Sequence, residues 1–337
     1  MGGGSTMGYK LAGFDVIGFN EIDPKMAKCY IENHNPKYSF IEPIQTFKSR
    51  KDLPKELYEL DVLDGSPPCS NFSMNGNREK DWGKEKKFRE GQSLQVLDTL
   101  FFDFIDLAKE LQPKIVIAEN VKGLLLGNAM QYVKRILIDF DKAGYYVKYF
   151  LLDASKMGVP QRRERVFFIA LRKDLIQLIP NELNIFSNDY EYNLNLDFNE
   201  KEIKLNELLD DTDIKYRRQI IPAGRRYWDL IKEGESISKV HEKGSFFNFI
   251  KLSPNKCCPT LTSESYRMLG LENSYCLSEQ ELLKISTFPT DYEYQNKNRI
   301  NGNGFLGFLV GMSVPPIMIA QIVSKIYEQW NLIFKNN

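Results

Sequence analysis

Along the first half of the chain the apolar positions switch between a two-residue and a helical period. Phe14-Asp15-Val16-Ile17-Gly18-Phe19 alternates as a strand does and runs out at Asn20-Glu21. Asp23-Pro24 then offers an N-cap and a first-turn proline, and Met26, Ala27 and Tyr30 keep helical spacing. Leu60-Asp61-Val62-Leu63 reads as a short strand ending in a Gly/Pro turn. Residues 92 to 111 place Leu94, Leu97, Leu100, Phe101, Phe104, Ile105 and Leu111 on one wide face, which predicts a helix. The strand Lys114 to Ala118 follows. A helix over 129 to 143 stops at Gly144, and strands at Tyr145–Leu152 and Val166–Ala170 come after it. This β-α-β-α-β order up to about residue 171 predicts an α/β fold with a doubly wound, mostly parallel sheet.

After Leu171 the texture changes. From 172 to 275 the pattern is irregular, rich in Asn, Asp and Lys, and predicts a second, smaller domain. A last helix over 314 to 332 begins Val314-Pro315-Pro316 and carries Ile319, Ile322 and Ile326. Its apolar stripe is expected to pack on the first domain. That domain would comprise 1–171 plus 276–337.

Composition narrows the classes. The chain has 337 residues, 42% of them apolar, enough for a full core. No run of 18 apolar residues and no signal peptide is visible, so a cytoplasmic protein is expected. The five cysteines, Cys29, Cys69, Cys257, Cys258 and Cys276, form no CxxC pair, which argues against a structural metal and for a reduced compartment. Lys+Arg and Asp+Glu balance at 45 each. Zero net charge argues against a purely electrostatic nucleic-acid binder but allows an enzyme with a basic cleft.

Three segments concentrate the chemistry. Gly65-Ser66-Pro67-Pro68-Cys69-Ser70 puts a lone thiol after two stiffening prolines at the carboxyl end of a strand, where open α/β sheets hold ligands. Glu119-Asn120-Val121 ends the strand that starts at Lys114. Gln161-Arg162-Arg163-Glu164-Arg165 leads into the strand Val166–Ala170. A nucleophile, an acid and an arginine cluster are thus each attached to a buried strand. In this order the three resemble the PPC, ENV and QxRxR motifs of the C5-cytosine DNA methyltransferases.

The resemblance implies a Rossmann-like methyltransferase that uses S-adenosylmethionine, flips a cytosine out of double-stranded DNA and attacks its C6 with Cys69. Glu119 would then serve the ring at N3 and the exocyclic amine, as a carboxyl kept protonated by burial. Arg163 and Arg165 would both point into the cleft, toward the base O2 and nearby backbone. Arg162 and Glu164 would face elsewhere, as candidates to pair with each other. Gly2, Gly3 and Gly4 resemble the end of the family's cofactor loop, Glu21 would hold the ribose, Ile22 and Leu100 would pack on adenine, and Ser313 lies in a Gly-Met-Ser-Val-Pro segment similar to the family's last motif. Met1 stands at the position of the loop's first glycine, and the family's preceding strand has no counterpart in these residues; an appended tag is the rival account of this start. Ser70 and Asn71, in a polar segment reaching to Gln92, would meet DNA, as would Arg217, Arg218, Arg225 and Arg226 of the small domain. A monomer acting beside a cognate restriction endonuclease is implied. A tRNA cytosine methyltransferase of the same fold and a non-catalytic DNA-binding remnant stay open as alternatives.

Overall fold

The computed structural model describes residues 2–68, 85–86, 95–96, 99–127, 129–184, 189–265, 269–271, 274–295 and 304–335. The chain opens with α1 (Gly4–Leu11), β1 (Gly18–Asn20), α2 (Pro24–His34) and β2 (Tyr38–Phe40). As expected, Asp23 caps α2, its carboxylate accepting from the Lys25 and Met26 amides at 2.8 and 3.4 Å. Next come β3 (Val62–Gly65), α3 (Leu100–Leu111), β4 (Ile115–Val121), α4 (Ala129–Lys142), β5 (Tyr145–Asp153) and β6 (Glu164–Arg172). Helix α3 starts later than its apolar pattern predicts: residues 95–96 pair antiparallel with 85–86 instead.

The main sheet has the strand order β3, β4, β6, β5. β3 and β4 are parallel, but β6 runs antiparallel to both of its neighbours, a departure from the parallel reading. The reason is legible: only residues 154–163 join β5 to β6, too few for a crossover helix. Alternate residues feed two cores, as a sheet covered on both faces requires. Ile115, Ile117, Phe167 and Ile169 meet the helix α7 (Pro316–Gln329) through Met318, Ile322 and Ile326. Val116, Ala118, Phe168 and Ala170 meet α3 and α4 through Phe101, Phe104, Ile136 and Phe140.

β1 and β2 form a separate parallel pair. Between that pair and β3 lies a cleft of about 970 Å³, walled by Gly18–Asn20 on one side and Val62–Gly65 on the other. α1 borders it and packs on α7.

The stretch after β6 does not leave the first unit at once. A hairpin, β7 (Asn181–Asn184) and β8 (Asp189–Tyr192), is followed by Leu196, and both Tyr192 and Leu196 are buried in the core of the main sheet. The Tyr192 hydroxyl donates to the Ile169 carbonyl. A second small sheet, β9 (Arg218–Gln219), β10 (Ile250–Lys251), β11 (Leu269–Gly270) and β12 (Tyr275–Cys276), surrounds its own core of Ile220, Trp228, Ile237 and Phe249. The chain returns through α5 (Glu279–Ile285), α6 (Gly304–Met312) and α7. By length and composition Gly304–Gln329 would suit a membrane, but it is mostly buried and is broken between α6 and α7 at Ser313–Pro315.

Candidate active site

The carboxyl ends of β3 and β4 lie side by side, with Gly65 opposite Ala118. Beyond them, the buried Asn120 donates from Nδ2 to the Pro67 carbonyl at 3.2 Å. The middle residue of Glu-Asn-Val thereby holds the Pro-Pro turn against β4. The Pro-Pro turn leads into Cys69, which with Ser70, Asn71 and the polar segment up to residue 84 lies outside the described residues.

Glu119 faces Phe167 across the ladder, so Arg165, two residues earlier on β6, is its diagonal neighbour on the same face. The Arg165 Nε lies 3.0 Å from Glu119 Oε1, with both side chains largely buried. Burial lowers the Arg165 pKa, and Glu119 opposes that shift. The pair presents one carboxylate and one guanidinium at the strand ends beside the Pro-Pro turn.

Arg163 shares that face by period but does not reach the cleft, a correction to the expected arginine pair. It is 2% exposed, and its Nη1 and Nη2 donate to the carbonyls of Leu261 and Gly311 at 3.0 and 2.9 Å. Its pKa is driven down by burial and by the neighbouring charge of Arg165. Arg163 therefore ties β6 to the segment at 259–262 and to α6. Gln161 does the same, its Oε1 accepting from the Leu261 amide at 3.0 Å. The flanking charges face outward without meeting each other: Arg162 pairs with Glu202 at 3.1 Å and Glu164 with Lys122 at 2.7 Å.

Gly2, Gly3, Glu21, Ile22 and Leu100, the residues expected at the cofactor, line the cleft between β1 and β3. Glu21 Oε1 accepts from the Asp23 amide at 3.0 Å, which sets its carboxylate at the end of β1. Two expected lining residues sit behind the wall instead. A side chain on Gly4 would strike the Val314 carbonyl, and Ser313 is 2% exposed behind Gly2. They let α1 approach the α6–α7 junction closely. Asp64, unmarked by any sequence pattern, lines the same cleft and accepts from the Tyr9 hydroxyl at 3.2 Å.

The four arginines expected on DNA divide. Arg217 is bound through Nε to both oxygens of the buried Glu281, at 2.9 and 3.1 Å, and braces α5 instead of facing solvent. Arg218 is half-buried, 3.9 Å from Glu279. Arg225 and Arg226 are exposed, the first bonded to Gln219 and the second over the Tyr227 ring. The constellation of four is thus two exposed cations and two that face carboxylates of α5.

Comparison with known proteins follows the same geometry. The model of the family described as C-5 cytosine-specific DNA methylase matches residues 2–328. The Type II methyltransferase M.FnuDI of Fusobacterium nucleatum is 28% identical over 96% of this chain and 90% of its own length. M.DdeI of Desulfomicrobium norvegicum is 27% identical over 99% and 89%. The Dnmt2 methyltransferase of S. pombe shares the fold, with a TM-score of 0.63 at 16% identity over 98% of this chain and 96% of that one.

Proposed function

This chain belongs to the C-5 cytosine-specific DNA methylases, and from that premise we propose that it methylates C5 of cytosine in double-stranded DNA from S-adenosylmethionine, with Cys69, Glu119 and Arg165 at the reacting base. The observation that carries this reading is the Asn120–Pro67 hydrogen bond, which fixes the residue two before Cys69 beside the strand that bears Glu119.

The donor reading is supported by the residues of the cleft. A carboxylate at Glu21 suits two ribose hydroxyls, Ile22 and Leu100 offer apolar surface to an adenine, and the Gly2–Gly3 backbone suits the amino-acid end. Bound there, the donor supplies an electrophilic methyl group.

The protein's part is to make C5 nucleophilic. The Cys69 thiolate adds to C6, and the ring electrons move toward C5 and N3. Glu119 meets N3 and the exocyclic amine, and Arg165, already paired to Glu119, meets the O2 edge. C5 attacks the methyl carbon, the donor's S–CH3 bond breaks with its electron pair left on sulfur as a neutral thioether, and loss of the C5 proton to a base then sends the electrons back through the ring. The Cys69–C6 bond then breaks, and the thiolate and the aromatic base are regenerated. Arg225 and Arg226 offer exposed charge to phosphates. A monomer in the cytoplasm, acting at the same site as a cognate restriction endonuclease, fits this reading.

DNA bearing 5-fluorocytosine tests it, because fluorine cannot leave as a proton does. With donor present, an SDS-resistant protein–DNA adduct is expected from the wild type and none from Cys69→Ser. An adduct of equal yield from Cys69→Ser would remove Cys69 from the mechanism.

A further inference from the structure

The back of the cleft holds a relay of side chains behind the glycine loop. Gly2 and Gly3 both take left-handed backbone, with φ of 60° and 82°. The Tyr292 hydroxyl donates to the Gly2 carbonyl at 2.6 Å. His34, the last residue of α2, has its Nε2 3.0 Å from the same hydroxyl. With the hydroxyl proton committed to Gly2, only an Nε2–H on His34 completes the chain, which fixes its tautomer. His34 and Tyr292 are both buried, at 6% and 2%. A side chain on Gly3 would collide with His34 Nε2 and with the Tyr292 hydroxyl, so glycine is required there by close approach as well as by φ.

Tyr292 is itself anchored. The next residue, Glu293, donates its amide to Asn33 Oδ1 at 2.9 Å and accepts from Asn33 Nδ2 at 2.8 Å. The Cys29 thiol donates to the same Glu293 carbonyl at 3.1 Å. Lys10 of α1 donates to the His34 carbonyl at 3.0 Å. Helix α2, the 292–293 segment and the start of α1 are therefore locked to one another at the glycine loop.

The trans peptide sets the consequence. If the Gly2 carbonyl points at Tyr292, the Gly3 N–H points the opposite way. Gly2 and Gly3 line the cleft, whereas Tyr292 and His34 stand behind them. We propose that Tyr292 is a positioning residue for the methyl donor, with His34 orienting Tyr292, so that the Gly3 amide is presented to the anionic carboxylate end of the donor. This rests on the donor reading above. The N-terminal turn of α1, which starts at Gly4, adds a potential favourable to negative charge beside that amide.

The test is Tyr292→Phe, which removes one hydroxyl and leaves the ring. Calorimetric titration with S-adenosylmethionine should show Kd raised about tenfold, with turnover at saturating donor within twofold of wild type. In the donor-free protein, amide hydrogen exchange over residues 3 to 9 should quicken while the exchange of α2 stays unchanged. His34→Leu should behave like Tyr292→Phe, and His34→Gln, whose amide reaches the Nε2 position, should restore binding to within about threefold. A Tyr292→Phe protein with a lowered unfolding midpoint but unchanged Kd and exchange would make the role merely structural and overturn the proposal. A wild type that binds no donor would overturn the donor reading, and the exchange arm would still report whether Tyr292 holds the loop.

Discussion

Arg163 should behave as a structural residue, and Arg163→Met isolates that role. The substitution keeps an unbranched stem, two atoms shorter than that of arginine, and removes every donor. Two hydrogen bonds from a charged group to buried carbonyls are lost, those of Leu261 and Gly311. Each such bond contributes roughly 1.5–3 kcal/mol, so the gross loss is about 3–6 kcal/mol. Part is returned, because a buried cation beside Arg165 no longer has to be desolvated. The neighbouring links from Gln161 to Leu261 and from Thr260 to the Arg162 carbonyl remain and limit the opening of the seam. The expected net loss is therefore roughly 2–4 kcal/mol, read as a lower urea midpoint at unchanged slope. Turnover per folded molecule, measured well below the unfolding temperature, should stay within about threefold. An unchanged midpoint together with a hundredfold fall in turnover would place Arg163 on the substrate and refute the reasoning.

Three further outcomes are expected. Glu119→Gln should slow methyl transfer by roughly two to four orders of magnitude, the range for losing a positioned acid, with donor affinity nearly unchanged by calorimetry; a lost donor affinity instead would move Glu119 out of the base pocket. Asp64 is pushed from its ordinary 3.8 up to about 6 by burial, so the fold takes up a proton between those values and this carboxyl's contribution is lost as pH rises through 6. Asp64→Asn should thus stabilise by up to about 3 kcal/mol at pH 7.5 and by roughly half that at pH 5, and a gain equal at both would contradict the burial account. Donor at a hundred times its Kd should raise unfolding free energy by about 2.7 kcal/mol, and an unchanged melting temperature at that concentration would argue against specific binding to the folded chain.

The sheet edge proposed to meet the base was legible as an edge because its segments end strands of clear period, and strand ends of one open sheet collect at one edge. Asn120, next to Glu119, bonds the Pro-Pro turn there. The arginines were not separable by the same logic. Arg163, just before β6, and Arg165, within it, share a face by period, and alternation says nothing of depth. Depth is set by Leu261 and Gly311, which are 98 and 148 residues away in the chain. Arg217 is the same case, since its charge is matched by Glu281, 64 residues on. The direction of β6, in contrast, could have been read from the short link that precedes it. Helix α3 shows a further limit: the apolar face from 92 to 111 satisfies helical spacing, yet its described helix starts at Leu100.

The two halves of the site are held by different kinds of bond. On the side proposed for the base, strands β3, β4 and β6 share continuous ladders, so Glu119 and Arg165 inherit the rigidity of a sheet buried on both faces. On the side proposed for the donor, β1 and β3 belong to different sheets, joined by no ladder, with the cleft between them and an apolar cluster of Phe47, Leu57, Leu107 and Leu111 beneath. What fixes the donor wall is a set of side-chain contacts between sequence-distant segments: Asn33 on Glu293, Tyr292 on Gly2, Tyr9 on Asp64, and the close seat of Gly4 on Val314. Ladder-held residues tolerate changes nearby, because their positions are over-determined by many backbone bonds. Contact-held residues do not, because each depends on one or two groups. Substitutions remote from the chemistry should therefore disturb donor binding before they disturb the alignment of Glu119 with Arg165.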